Sequence, residues 1–356
     1  MDLGLLHSFI GKRFKQPLVL IQSDDWGLNR NGTAAALQAL AGRYPEAVKT
    51  PMQGYDILES EEDVGLLRQV LEDTAAVMTC NAVMANVDFE KTISVGKFVQ
   101  EGVVETYRRI YGEGLGGYEG LKAGQEAGVF DMQFHGGVHL QYRRWMEAVV
   151  QGDLHVNEGL RQGVMGVSPE KKGASGKRSN FMAALDWHPT EAGYTELLER
   201  LLQAYGEFEG VWGKQAKSFI APAYIWDEAM EAMLVDAGIE VIQGLPYQLF
   251  SDGNGGFKRK HRRMVYADVF YTLRNCYFEP GENYHRDYVG ECLKRAKTLI
   301  SWGVPVVINS HRFNYMGGVS SDHRAHGLKE LQRLIQGIRK HWPEAHFVGT
   351  EYFSKA

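Results

Sequence analysis

The chain has 356 residues, 44% of them hydrophobic, and a formal charge of -5 at pH 7; it can bury a large core, and it lacks the basic field that nucleic-acid binding requires. Cys80, Cys276 and Cys292 are odd in number, widely spaced and without a C-x-x-C pair, which suits buried, reduced thiols in a cytoplasmic protein. No apolar run approaches the ~20 residues that cross a bilayer, and within residues 1–22 the apolar stretch lies before Lys12 and Arg13 rather than after them, with no small-residue cleavage site, so neither a membrane span nor a signal peptide is expected.

In chain order, Leu18 to Gln22 is a short apolar run that reads as a strand and leads into Ser23-Asp24-Asp25-Trp26-Gly27. A short Ala/Leu-rich helix follows from Thr33 to Leu40, with a stop near Gly42, and Ala76 to Cys80 looks like a second buried strand. Glu119 to Ala127 is helical in composition. The strand Met132 to Phe134 then runs into His135-Gly136-Gly137-Val138-His139, and a helix from about Gln141 to Val150 follows.

From Gln151 to Asn180 six glycines (Gly152, Gly159, Gly163, Gly166, Gly173, Gly176) break the pattern, which ends in Lys171-Lys172 and Lys177-Arg178. This reads as an inserted loop or lid at about 151–190. Thr190 to Tyr205 resumes as an amphipathic helix. The strand Ser218 to Ile220 leads into Ala221-Pro222-Ala223-Tyr224, then a helix capped by Asp227 and stopped by Gly238.

Glu240 to Ile242 is strand-like, residues 251–256 form a turn, and a β-rich stretch surrounds Met264 to Leu273. A helix from about Asp287 to Ile300, the strand Val304 to Ile308 before Asn309-Ser310-His311, a helix from about Gly327 to Arg339 and a short strand at His346 to Val348 complete the chain. The alternation implies βα units around a mostly parallel sheet or barrel, one domain over 1–356, with the polar words at the carboxyl ends of strands where such folds build their sites.

Each word also has a plain reading. Adjacent aspartates before a glycine are common in turns and caps; the chemical alternative is one carboxylate on a metal and its neighbour taking a proton from water. His135 and His139, four apart, would share a face of a helical turn and could share a cation. With 12 histidines in the chain such a spacing arises by chance about as often as not, so the context carries the weight. His311 either caps the sheet edge or serves as a proton donor.

His323 and His326 fit a solvated loop or helix start, with a secondary metal site as the lesser reading. The basic run Phe257 to Arg263 fits a solvated hairpin, and otherwise a clamp on an anionic substrate. Trp26, Trp187, Tyr224 and Trp226 are either core or platforms for sugar rings.

Taken together, these words resemble the polysaccharide deacetylase family, the NodB-like carbohydrate esterases whose domain is a distorted (β/α) barrel, and within it a divergent polysaccharide (de)acetylase-like branch. The opening Asp24-Asp25-Trp26-Gly27-Leu28 is also similar to the Asp-Asp-Phe-Gly opening of chito-oligosaccharide deacetylases. The resemblance implies that Asp24 is the general base, that Asp25, His135 and His139 hold one divalent ion, with Zn²⁺ suited to the mixed donors, and that His311 is the general acid. It departs in two places. The first motif has Trp26 inserted before its glycine, and the arginine that usually precedes the third motif is missing from Phe219-Ile220-Ala221-Pro222.

Arg274 is a candidate replacement for that arginine, and Asp268 and Glu279 are candidates for orienting His311. Trp26, Tyr224, Arg274 and Glu279 are expected at the substrate. The implied activity is metal-dependent removal of an N- or O-acetyl group from a sugar, oligosaccharide or sugar precursor, with the oxyanion held in part by a backbone N–H near Tyr224. The alternatives are an amidohydrolase acting on a small amide metabolite and a non-catalytic carbohydrate-binding protein.

Overall fold

The computed structural model describes residues 11–170, 181–254, 256–264 and 269–355. Among them the strands are β1 (Leu18–Trp26), β2 (Met78–Ala82), β3 (Ala85–Val87), β4 (Gln100–Gly102), β5 (Phe130–Phe134), β6 (Ser218–Phe219), β7 (Val241–Gly244), β8 (Tyr247–Ser251), β9 (Phe257–His261), β10 (Phe270–Leu273), β11 (Cys276–Tyr277), β12 (Val306–His311) and β13 (His346–Phe347). β1, β2 and β5 are buried at every position, which is why they read as near-continuous apolar runs: a parallel strand is covered on both faces.

The main sheet has the order β10-β7-β6-β5-β2-β1-β12-β11, with β13 also on β1, and its ladders are parallel. Its two edge strands, β10 and β11, are separated in the chain only by Arg274 and Asn275. The Arg274 N–H donates to Gly244 of β7 and the Asn275 N–H to Val307 of β12. One bent strand thus changes partners and carries the sheet round to its own beginning. Gln22 of β1 donates across the interior to Thr272 of β10 at 3.1 Å. The result is the expected α/β architecture, a distorted (β/α) barrel.

Parallel strands need crossovers, and helices supply them. Glu61–Asp73 starts with a reciprocal capping box between Ser60 and Asp63 and turns Val64, Leu67 and Leu71 inward at helical spacing. These join one buried cluster with Val19, Met78, Val241 and Val306 of the strands. The helices Gly117–Glu126, Tyr194–Trp212, Glu228–Ala237, Tyr288–Ser301 and Ser321–His341 alternate with strands in the same way. No described helix is long and apolar enough to cross a membrane. The three cysteines are free and buried.

The described part of the glycine-rich stretch, residues 151–170, is more ordered than its glycines suggest. Asp153 caps a helix at Leu154–Gln162, and Gly163 ends it at φ +73°. A Cβ at Gly159 would meet the Val164 carbonyl oxygen at 2.5 Å, so that glycine permits close packing rather than looseness. Val156, Leu160, Val164 and Val167 join Leu28, Trp145 and Phe181 in a second buried cluster. Lys171, Lys172, Lys177 and Arg178 lie outside the described residues, as does Asp268.

The basic run forms β9, exposed along its length in a hairpin with β8, except that Arg262 turns inward to Glu231 at 2.7 Å. The final long helix begins well before Gly327 and takes in His323 and His326. His323 is not solvated: it is fully buried, bonded through Nε2 to the Phe313 carbonyl at 2.9 Å and stacked on Tyr55 with ring centroids 4.1 Å apart.

Candidate active site

The parallel direction brings the carboxyl ends of β1, β5, β6, β10 and β12 to one rim. At the end of β1 the ladder to β2 slips by one residue between Ser23 and Trp26, and Asp25 sits at φ +74°. In a regular strand neighbouring side chains point to opposite faces; a bulge here brings Asp24 and Asp25 to the same cavity. Ala223 and Tyr224, at φ +55° and +58°, add a second strained turn beside it. Backbone strain of this kind collects at functional sites.

Asp24 pairs in register with His311 of β12. It is 3% exposed and accepts Arg274 at both oxygens, each at 2.6 Å, and Asn81 at 2.8 Å. Burial works against its charge, but Arg274 holds the carboxyl below its usual range. Arg274 also donates to Asn309 at 2.7 Å, Tyr224 Oη at 2.9 Å and Gln22 at 3.1 Å. Asp24 Oδ2 lies 3.8 Å from His311 Nε2, too far for a hydrogen bond.

His311 Nδ1 lies 2.6 Å from Glu279, a carboxylate fully buried and held also by Asn314 at 2.6 Å. Burial alone would lower the His311 pKa, yet Glu279, with Asp24 behind it, pushes it up to about 9. His311 is therefore a protonated donor at neutral pH.

Asp25 offers Oδ1 to His139 Nε2 at 3.2 Å and to His135 Nε2 at 3.4 Å, and one ligand atom from each of the three falls within 4.8 Å of the others. His135 Nδ1 lies 2.8 Å from the Ile220 carbonyl. A carbonyl only accepts, so Nδ1 carries the hydrogen, and in the neutral ring the Nε2 lone pair turns toward the carboxylate. His135 Nε2 and His139 Nδ1 are buried without a hydrogen-bond partner among the described residues. Burial pulls His139 down to about 3, which keeps it neutral. A lone pair aimed at a carboxylate is unfavourable unless a cation lies between them. These three donors fit a divalent ion, and the N₂O set suits Zn²⁺.

Behind Asp25 is a chain of charges. Arg30 joins Asp25 at 2.5 Å and Asp56 at 2.6 Å; Arg312 joins Asp56 at 2.6 Å, the Leu28 carbonyl at 2.7 Å, and Glu59. Glu59 accepts the Gly27 N–H at 2.9 Å, which pins the backbone just past the bulge. The sequence reading passed over Arg30, Asp56, Glu59 and Asn81. The only signal for Arg30 is its position shortly after Asp25.

Several expectations need correction. His135 and His139 do not share a helical turn: they lie in a loop after β5 in which Gly136 takes φ +88°, and the loop brings their ring centroids to 5.0 Å. Trp26 does not line the cavity. It is fully buried, bonds Ser23 Oγ at 3.1 Å and packs on Phe130, because the bulge that turns Asp24 and Asp25 outward sends Trp26 into the core. Arg274 and Glu279 are 4% and 0% exposed and stand behind Asp24 and His311 rather than facing the cavity. The Tyr224 N–H is committed to the Ala221 carbonyl, so it is not a free oxyanion donor.

The cavity itself measures about 410 Å³. Asp24, Asp25, His135, His139, His311 and Tyr224 line it together with Arg30, and Gly166, Ser168 and Met182 of the 151–190 region form part of its wall.

No family model matches the chain, and no curated protein matches it. Solved structures do match. A protein assigned as a polysaccharide deacetylase from Mycobacterium smegmatis aligns over 96% of this chain and 90% of its own, at 13% identity and a TM-score of 0.44. A 4-alpha-glucanotransferase from Thermococcus litoralis aligns over 96% and 40%, at 8% identity and 0.48. A CE4 family pseudoenzyme from Bacillus anthracis aligns over 96% and 66%, at 7% identity and 0.42. Likeness at this level bears on neither activity nor substrate.

Proposed function

We propose that the chain is a divalent-metal-dependent hydrolase that removes an acetyl group from a carbohydrate. One observation carries the reading: Asp25, His135 and His139 converge within 4.8 Å in a buried N₂O set, with an ionised carboxylate, Asp24, and a protonated imidazole, His311, beside them. A bound cation would supply Lewis acidity and make water more acidic.

The protein's own groups account for the protons. Asp24 is held ionised by Arg274 and lines the cavity, where it would accept a proton from the attacking water. As water adds to the acyl carbon and the bond to the sugar nitrogen or oxygen breaks, His311 gives its proton to the departing amine or alcohol. Glu279 fixes the His311 ring through Nδ1 and leaves Nε2 to donate. Acetate and the free sugar group are the products.

The acetyl group and the carbohydrate enter through the motif resemblance of the four strand-end words. The whole chain is read as one catalytic unit, with the 151–190 insertion walling its cavity. In a cytoplasmic setting the substrate would be a sugar precursor or an imported oligosaccharide. The test is acetate release across a panel of N- and O-acetylated sugars, comparing wild type with Asp24→Asn. The variant should lose ~10²–10⁴-fold in turnover while keeping its metal; undiminished turnover would remove Asp24 from the reaction. Hydrolysis of linear or cyclic amides without acetate release would favour the amidohydrolase alternative.

A further inference from the structure

Arg30 is the one cavity-lining cation among the described residues that the hydrolytic scheme leaves without a task. It is 4% exposed. Its Nε donates to Asp56 at 2.6 Å and its Nη2 to Asp25 Oδ2 at 2.5 Å, so Nη1 bonds to no described residue although Arg30 lines the cavity. A guanidinium carries five N–H donors in a rigid fork, and with Nε and Nη2 engaged those of Nη1 are left for a group in the cavity.

The fork is also fixed from above. The Arg30 carbonyl accepts the N–H groups of Met165 and Gly166 at 2.9 and 3.2 Å. A Cβ at Gly166 would lie 2.6 Å from Arg30 Cγ, so the insertion lies against the arginine stem. Around Arg30 and Arg312 stand Asp25, Asp56 and Glu59, three carboxylates for two guanidiniums. That balance offsets part of Arg30's charge and makes Nη1 a positioned hydrogen-bond donor for an acyl oxygen, on which charge builds during reaction.

We propose that Arg30 contacts the substrate, its Nη1 donating to the acyl carbonyl oxygen that becomes the oxyanion, and that Gly166 of the insertion keeps it in position. The proposal rests on the hydrolase reading above. It gives the oxyanion a side-chain donor in place of the Tyr224 N–H, which is already engaged.

The test uses the full chain, zinc alone and then acetate, the product that retains the acyl carbonyl oxygen, followed by titration calorimetry with circular dichroism as a check on folding. Arg30→Lys keeps a positive charge for Asp25 but loses the fork. It should still take up about one zinc per chain and bind acetate to the zinc-loaded protein about tenfold or more weakly. Gly166→Ala, which displaces Arg30 without removing it, should weaken acetate in the same direction, and it decides the matter if Arg30→Lys does not fold.

Acetate affinity equal to wild type in the folded variants would overturn the proposal. So would loss of zinc from Arg30→Lys, since Arg30 would then serve Asp25 alone. Wild-type protein that takes up no zinc would fail the hydrolase reading instead. Acetate binding to the metal-free chain would then uphold the Arg30 contact if Arg30→Lys weakens it and overturn it if not.

Discussion

Replacing Arg274 with glutamine should expose how much the site depends on one buried guanidinium. Arg274 gives Asp24 two hydrogen bonds of 2.6 Å and also holds Asn309, Tyr224 and Gln22. Asp24 and Arg274 are 3% and 4% exposed, so water cannot take over the lost contacts. Removing one partner of a buried pair costs ~3–5 kcal/mol, a large share of the ~5–15 kcal/mol that holds a typical domain together.

The pH dependence has a definite sign. In the wild type the Asp24 pKa is depressed, so its contribution is complete above the ordinary value of 3.8 and is lost as pH falls through the lower folded value. In Arg274→Gln the largest effect opposing burial is gone and only His135 and His311 still favour the charge, so the pKa rises from its wild-type value and the acid limb of turnover moves to higher pH. Denaturant unfolding at neutral pH and turnover across the acid range are the assays. A stability loss within ~0.5 kcal/mol, with an unmoved acid limb, would refute the argument that Arg274 keeps Asp24 ionised.

Further predictions concern the acid, the core and the histidine loop. Glu279→Gln removes the group that raises His311 to about 9; the contribution of protonated His311 is complete below its ordinary 6.5 and lost as pH rises through the folded value, so the alkaline limb of turnover should fall to lower pH than in wild type, and an unshifted limb would separate Glu279 from His311. Trp26→Ala should cost ~3–5 kcal/mol in thermal or chemical unfolding, while Trp26→Phe should leave ligand affinity alone; weaker ligand binding in the phenylalanine variant would return Trp26 to the cavity. Gly136→Ala forces a Cβ into φ +88° and should destabilise by ~1–2 kcal/mol and weaken metal uptake, a coupling that calorimetry would contradict if affinity stayed the same.

What the sequence discloses here is set by range. The strand-end words are legible because each couples an apolar run to polar residues within a few positions, and parallel strands gather those ends at one rim. The closure of the barrel is not, since nothing local marks Arg274 and Asn275 as the point where one strand changes partners. Trp26 reads as a sugar platform only if the strand alternates regularly, and the bulge between Ser23 and Trp26 reverses that inference.

His135 and His139 have helical spacing, but Gly136 and Gly137 allow a loop to bring the rings together. The Arg30-Asp56-Arg312-Glu59 chain joins segments far apart in sequence, so no spacing could reveal it. The helix Glu61–Asp73, by contrast, carries a local signal in Ser60 and Asp63 that the sequence reading passed over.

Divalent metal per chain, measured by elemental analysis on wild type beside His139→Ala, tests the central claim most directly. The N₂O set around Asp25 predicts about one ion in the wild type and none in the variant, with the fold intact by circular dichroism. Wild-type protein that remains metal-free after Zn²⁺ is offered, or His139→Ala that binds as much as wild type, would contradict the proposed metal centre and the hydrolysis built on it.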